Sequence, residues 1–344
     1  MNLRCLTCAY DGYAKANFLE GQIQPMSVTL RVRIAIFCVI LGFIMVRGLR
    51  PHGLEQSNIP LKTARAGFVT HPQPANGERQ EVEQPPTGVF GIVKYPAGAG
   101  DLPAYITPNP QDGKKHPGII WITGGDCNSI GDCWTPSKPD DDQTAAAYRK
   151  AGIVMMFPSL RGGNQNPGSK EGFYGEVDDV IAATQYVKAL PYVDPERVYL
   201  GGHSTGGTLA LLVAECSSDY RAVFAFGPVD DVKGYGADSG FLPFNVQDAQ
   251  EIKLRSPGYW LNSVKNPTWV FEGGTGNILC LRRMRSANTN AQIHFIAVTD
   301  ATHFSILAPT NALLARKIME DTGTACSIGV TAEEANTNYV TGAK

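Results

Sequence analysis

Ser204 stands in the run Gly202-His203-Ser204-Thr205-Gly206, followed by Gly207. A serine hydroxyl attacks a carbonyl only when a base takes its proton, and flanking glycines let the chain turn sharply enough to lift the hydroxyl clear of the backbone. The spacing is that of a nucleophile for acyl transfer. Six histidines could supply the base. His52 and His71 lie in a polar N-terminal stretch, and His116 precedes a strand at the end away from the nucleophile's loop. His203 lies within the turn and is expected to point away from Ser204, while His294 falls inside a strand as a packed core residue. His303, in Thr299-Asp-Ala-Thr-His-Phe304, follows the last strand and leaves at the same edge as Ser204, so it is the expected base. The oxyanion formed in such a reaction needs fixed N–H donors, each worth about 3–4 kcal/mol. One is expected from Thr205, the residue after the nucleophile. The other is expected from Thr123-Gly-Gly-Asp126, through the amide of Gly125 or of Asp126.

The elements that would position these residues read as an α/β fold, with an about eight-stranded, mostly parallel sheet and helices on both faces. Gly88–Tyr95 and Leu102–Thr107 look like an opening antiparallel pair. Gly118–Thr123 and Ile153–Phe157 are largely apolar, as parallel strands buried on both faces should be. Arg197–Gly201 runs as a short strand into the serine turn, and Thr208–Glu215 is small and apolar enough for a buried helix. Asp178–Leu190 places Val180, Ala183, Val187 and Leu190 on one helix face. Asp140–Ala151 and Phe304–Ile318 also read as helices. Ala222–Phe226, Thr268–Glu272 and Ile293–Val298 supply three further strands. The hydrolase-like domain is expected over 88–325, with a C-terminal tail at 326–344. The insert at 232–266 is a candidate small cap, in which Tyr235, Phe241, Phe244, Tyr259 and Trp260 could wall the site or merely pack.

The chain has 344 residues, 43% apolar and 18% charged, with a formal charge of −2. That balance suits a globular protein with a large core and offers no basic surface for nucleic acid. The expected partners are a small-molecule ester or amide, or a short peptide. Within residues 1–50, Ile34–Val46 is a thirteen-residue run without charge, flanked by Arg31, Arg33, Arg47 and Arg50. It is too short for the roughly 30 Å hydrocarbon core and fits a signal or short anchor stretch, so export or a membrane tether on the extracytoplasmic side is expected, the cytoplasm not being excluded. Residues 51–87 are polar and proline-rich, as a flexible linker would be. The eight cysteines form no metal pattern, and neither cofactor nor metal is expected. Cys127 and Cys133 could pair in an oxidising compartment or remain free thiols.

The segments His116–Gly125, Pro158–Gly163, Gly175–Asp179, Val193–Arg197, Gly202–Gly207, Arg255–Pro257 and Thr302–Phe304 occur in the order in which the chain resembles the catalytic domain of the prolyl oligopeptidase family, within the α/β-hydrolase fold. The resemblance implies Ser204 as nucleophile and His303 as base. Two departures stand out. The family's acid is an Asp a few residues past a strand-end His-Gly pair, whereas Phe271-Glu-Gly-Gly-Thr-Gly-Asn-Ile278 contains no Asp. Glu272 ends its strand at the right edge, 31 residues before His303, and could orient the imidazole. Asp230 or Asp231 after the preceding strand, or Asn277 near the family's acid position, are alternatives, as is a site with no acid. The second departure is size, because about 90 linker-like residues cannot build the propeller that the family's peptidases carry. A serine hydrolase of esters or amides is therefore the leading expectation. The alternatives are a serine peptidase of small peptides, an acyl transferase, and an exported or tethered binding protein that kept the fold without efficient chemistry.

Overall fold

The structure, a computed structural model, describes residues 54–73, 80–236 and 240–342, which fall in the compact unit Gly53–Lys344. The apolar run 34–46 and the rest of the 1–50 segment lie outside the described residues. Eight strands form one sheet in the order β1-β2-β4-β3-β5-β6-β7-β8. These are β1 (Gly91–Ala97), β2 (Gly100–Ile106), β3 (His116–Ile122), β4 (Val154–Pro158), β5 (Val193–His203), β6 (Val223–Phe226), β7 (Thr268–Gly273) and β8 (Ile293–Val298). The β1/β2 and β2/β4 pairings are antiparallel and every other one is parallel. The parallel strands point the same way, so the loops after β3, β5, β6, β7 and β8 all emerge along one carboxyl edge.

Alternation along β3 shows why the sheet is covered twice. Ile120 and Ile122 enter one core with Val180, Leu209 and Leu212, while Ile119 and Trp121 enter the other with Tyr148, Leu313 and Leu314. Side chains alternate across a strand, so a continuous apolar run requires helices on both faces. In chain order the helices are α1 (Leu61–Arg65), α2 (Ala146–Lys150), α3 (Glu176–Lys188), α4 (Thr205–Cys216), α5 (Ala249–Arg255), α6 (Ile278–Ala287), α7 (Leu307–Glu320) and α8 (Ala332–Gly342). Helices α3 and α4 cover the first face, and α2, α7 and α8 serve the second.

Four expectations change, and the one left open for the 232–266 insert is resolved. Residues 54–73, read as flexible linker, are docked on the domain: Leu61 is fully buried, and Arg65 donates to the carbonyls of Phe173 (2.8 Å), Tyr174 (3.0 Å) and Leu254 (2.8 Å). A few anchoring side chains suffice where the average composition is polar. The tail at 326–344 contains helix α8, which buries Ala335 and whose Asn336 donates to the Ala297 carbonyl at 3.1 Å. In the 232–266 insert, Phe244 and Trp260 are core residues, not walls, and only Phe241 of the five aromatics is largely exposed. The helix expected at 140–151 shrinks to α2, because Asp142 instead takes the Thr144 amide at 3.1 Å and holds a turn. His294 is exposed and stacks on Trp269 at 5.0 Å, since β8 is an edge strand.

Candidate active site

Strand β5 runs straight into α4 with Ser204 as the hinge. Its φ of 55° and ψ of −113° form a conformation that costs a non-glycine residue about 1–3 kcal/mol. The surroundings enforce it: the Ser204 amide donates to the Phe226 carbonyl at 2.7 Å. A Cβ built on Gly206 would collide with the carbonyls of Ile122 and Thr123, so the turn needs glycine there to pack against β3. Ser204 opens into a cavity of about 960 Å³.

His303 and Glu272 meet at the same carboxyl edge of the sheet, after β8 and at the end of β7. Glu272, the penultimate residue of β7, is fully buried, and its Oε2 lies 2.9 Å from His303 Nδ1. The same oxygen accepts the Asn277 amide at 2.9 Å, and Oε1 accepts the Gly273 amide at 2.7 Å. Three donors thus converge on one carboxylate, which fixes its rotamer and aims it at the imidazole. Gly227, after β6, has φ +58°, and a Cβ there would press into the His303 ring and lie 3.0 Å from Glu272 Oε2. Phe304, 45% exposed, meets the His303 ring edge-on at 5.1 Å. Ser204 Oγ makes no hydrogen bond to His303 Nε2 in this structure, and such a pair commonly tightens only with substrate.

The alternative acids are placed elsewhere. Both oxygens of Asp230 are taken by Arg283, at 2.6 and 2.7 Å. Asp231 caps the Lys233 amide and accepts from the Tyr259 hydroxyl. Asn277 supports the site through its backbone bond to Glu272 and through a side-chain bond to the Gly227 carbonyl at 2.7 Å.

At the expected oxyanion loop, Gly124, Gly125 and Asp126 line the cavity with Ser204. Thr205 Oγ1 donates to the Gly125 carbonyl at 2.9 Å, tying that loop to the start of α4. The Thr205 amide is the first of the helix and has no intrahelical acceptor. The Asp126 carboxylate pairs with Lys170 at 2.7 Å and accepts from Ser129. His203 lies against His303 with ring centroids 4.6 Å apart. Burial, and then the neighbouring His303, push the His203 pKa down to about 3, so its ring is neutral.

Sequence reasoning missed the character of the cavity wall. Glu81, Glu83, Asp126, Asp132 and Asp141 line it against a single ammonium, Lys170. Two of these carboxylates come from the stretch read as linker, which hid them. Cys127 and Cys133 are both free and buried, and burial pushes the Cys133 thiol up to about 12. Among the described residues there is no metal-binding cluster and no helix long and apolar enough to cross a membrane.

The fold is that of an α/β-hydrolase. More narrowly, the chain resembles the catalytic domain of the prolyl oligopeptidase family, whose sequence pattern (Peptidase_S9) matches residues 139–273. The chain is 38% identical to prolyl oligopeptidase A of Galerina marginata over 74 residues, 20% of this chain and 10% of that protein. It is 30% identical to the S-formylglutathione hydrolase of Bos taurus over 148 residues, 36% of this chain and 50% of that one. The matched stretches thus span half or less of these relatives. The solved structure of 2,6-dihydroxy-pseudo-oxynicotine hydrolase superposes with a TM-score of 0.54 and 12% identity, covering 70% of each chain, a likeness of fold. The family and relatives together support a serine hydrolase.

Proposed function

We propose that the protein hydrolyses ester or amide bonds through an acyl-enzyme, with Ser204 as nucleophile, His303 as base and Glu272 as the acid that orients it. His303 Nε2 takes the Ser204 proton as Oγ attacks the carbonyl carbon. The oxyanion is met by the Thr205 amide and by that of Gly125 or Asp126. The tetrahedral intermediate collapses, His303 gives its proton to the leaving group, and water repeats the sequence to release the acid and free serine. The observation that carries this reading is the 2.9 Å contact of the buried Glu272 carboxylate with His303 Nδ1, which fixes the tautomer that leaves Nε2 free to accept. The same contact weighs against the binding-protein reading, which rested on a missing acid.

The cavity wall bears on the substrate. Five carboxylates and one ammonium lie around the nucleophile, so anionic acyl or leaving groups are disfavoured and neutral or cationic ones are favoured. Export through the 34–46 segment belongs to this proposal and is tested by fractionating cells that express the full chain. The direct test of the activity is fluorophosphonate labelling with mass spectrometry. Ser204 is expected to carry the label, and Ser204→Ala to lose both label and hydrolysis of a neutral nitrophenyl ester. A folded wild-type protein that is neither labelled nor active refutes the proposal.

A further inference from the structure

His203 is nearly buried, at 1% exposure, and its imidazole touches three loops around the site. Its Nε2 lies 3.0 Å from the backbone carbonyl of His303. A carbonyl only accepts, so the proton is on Nε2 and the bond runs from the residue before the nucleophile to the main chain of the base. Its Nδ1, unprotonated in that tautomer, lies 3.1 Å from Gln143 Oε1 in the loop that leads into α2, a packing contact and not a hydrogen bond. On a third side, a Cβ built on Gly124 would lie 3.1 Å from Nδ1, so the ring rests against the oxyanion loop. Phe304 closes the remaining edge, with ring centroids 5.5 Å apart.

We propose that His203 is a positioning residue: its Nε2–H bond to the His303 carbonyl, with its contacts to Gly124 and Gln143, holds the nucleophile turn, the base loop and the oxyanion loop in one fixed relation. The inference rests on the serine-hydrolase reading above. The bond joins residues 100 apart in sequence, and no other hydrogen bond between described residues links the Gly202–Gly206 turn to residues 302–304. Rate in such a site depends on sub-ångström placement, so a lost bracket should act on the chemical step more than on substrate binding. A neutral ring is also required for this role, because a second imidazolium 4.6 Å from His303 would oppose the charge that His303 must take up.

The test compares wild type with His203→Leu, which keeps bulk but has no donor, and His203→Gln, whose side-chain amide can reach the same carbonyl. The active fraction is counted by fluorophosphonate titration, so kcat is expressed per reactive Ser204, and the thermal midpoint is recorded for each protein. The leucine variant is expected to lose 10- to 100-fold in kcat per labelled site with KM within about threefold, and the glutamine variant to recover most of that loss. If the leucine variant does not fold, His203→Asn, whose shorter amide cannot reach the carbonyl, replaces it with the same expectation. Unchanged kcat per labelled site, with only the midpoint or the active fraction lowered, overturns the proposal and leaves a packing role. Equal loss in the leucine and glutamine variants also overturns it. Absence of labelling in folded wild type overturns the hydrolase reading itself, a result distinct from either of these.

Discussion

Replacing Glu272 by glutamine changes one oxygen into NH2 and removes one charge, and the geometry makes both losses costly. The carboxylate receives His303 Nδ1 and the Asn277 amide on Oε2, and the Gly273 amide on Oε1. A carboxamide has one acceptor oxygen for these three donors. If that oxygen stays toward His303, the NH2 meets the Gly273 N–H, and a buried donor is left unsatisfied at about 1–3 kcal/mol of stability. The tautomer then survives, but the imidazolium loses its counter-charge. At about 4 Å and an effective dielectric near 20, that attraction is ~4 kcal/mol, or roughly a thousandfold in rate. If instead the NH2 turns toward His303, Nδ1 must become the acceptor and Nε2 carries the proton, so it can no longer accept one from Ser204. That arrangement costs about 10⁴-fold in kcat where an analogous acid has been neutralised. Both orientations put Glu272→Gln at 10³ to 10⁴ below wild type in kcat/KM, with a lowered thermal midpoint. The assay is steady-state hydrolysis of a neutral nitrophenyl ester, corrected for active sites, with circular dichroism to confirm the fold. A folded Glu272→Gln protein within tenfold of wild type would refute the assignment.

Asp230→Asn is the matched control: Arg283 is half exposed and holds Asp230 away from the site, so kcat should stay within about twofold and stability fall by ~1 kcal/mol or less. Gly227→Ala should lose at least 100-fold in activity and lower the thermal midpoint, because the added methyl enters the space of the His303 ring and φ is +58°; near-native turnover would show that the dyad tolerates displacement. Glu215 in α4 is buried, neither of its oxygens has a hydrogen-bond partner among the described residues, and burial pushes its pKa well above the ordinary value, against the pull of Arg65. The folded state therefore binds this proton more tightly than the unfolded one, and stability declines as pH rises above the ordinary carboxylate pKa of about 4.5. Glu215→Gln should accordingly raise the melting temperature by about 2–5 °C at pH 8 and leave it nearly unchanged at pH 4, and an equal effect at both would refute the linkage. A cationic ester should be hydrolysed with a kcat/KM at least tenfold above its anionic isostere at low salt, the gap narrowing as salt rises; equal rates would mean that Glu81, Glu83 and their neighbours do not face the bound substrate.

What was legible in the sequence is what short-range rules control. Strands buried on both faces announce themselves as apolar runs, and β3 through β8 lie close to where those runs predict. Ser204 and His303 were proposed from local signals, the turn glycines and the position after the last strand. The sequence left the acid open among several residues. Glu272, Asp230 and Asn277 are all near the carboxyl edge, and what separates them is which side chain finds a competing partner, Arg283 for Asp230 and the Gly227 carbonyl for Asn277. Such partners lie 50 and 53 residues away in sequence, and no periodicity encodes them. The docking of residues 54–73 failed for a related reason. Average composition describes a segment's solvation, whereas Leu61 and Arg65 act as single anchors in sites built by residues 173, 174 and 254.

In the proposed site the acid stands on a strand end and not further along the loop, which accounts for a glutamate there. Glu272 has its Cα fixed by pairing with Ala297 of β8, so its carboxylate can reach the next strand's loop only by side-chain length. Aspartate at 272 would fall short by one methylene, and its backbone could not move without breaking the ladder that pairs Glu272 with Ala297. The loop that follows is then free of the acid's task and serves a different one. Gly273 and Asn277 turn their amides back onto the carboxylate, and Gly276 lies against the His303 side chain. Glu272→Asp combined with Asn277→Asp separates these tasks. If length alone sets the identity, the single Glu272→Asp change loses 10- to 100-fold. The second aspartate, at the loop position, then restores activity only if its own carboxylate can replace the 2.9 Å contact that Glu272 now makes.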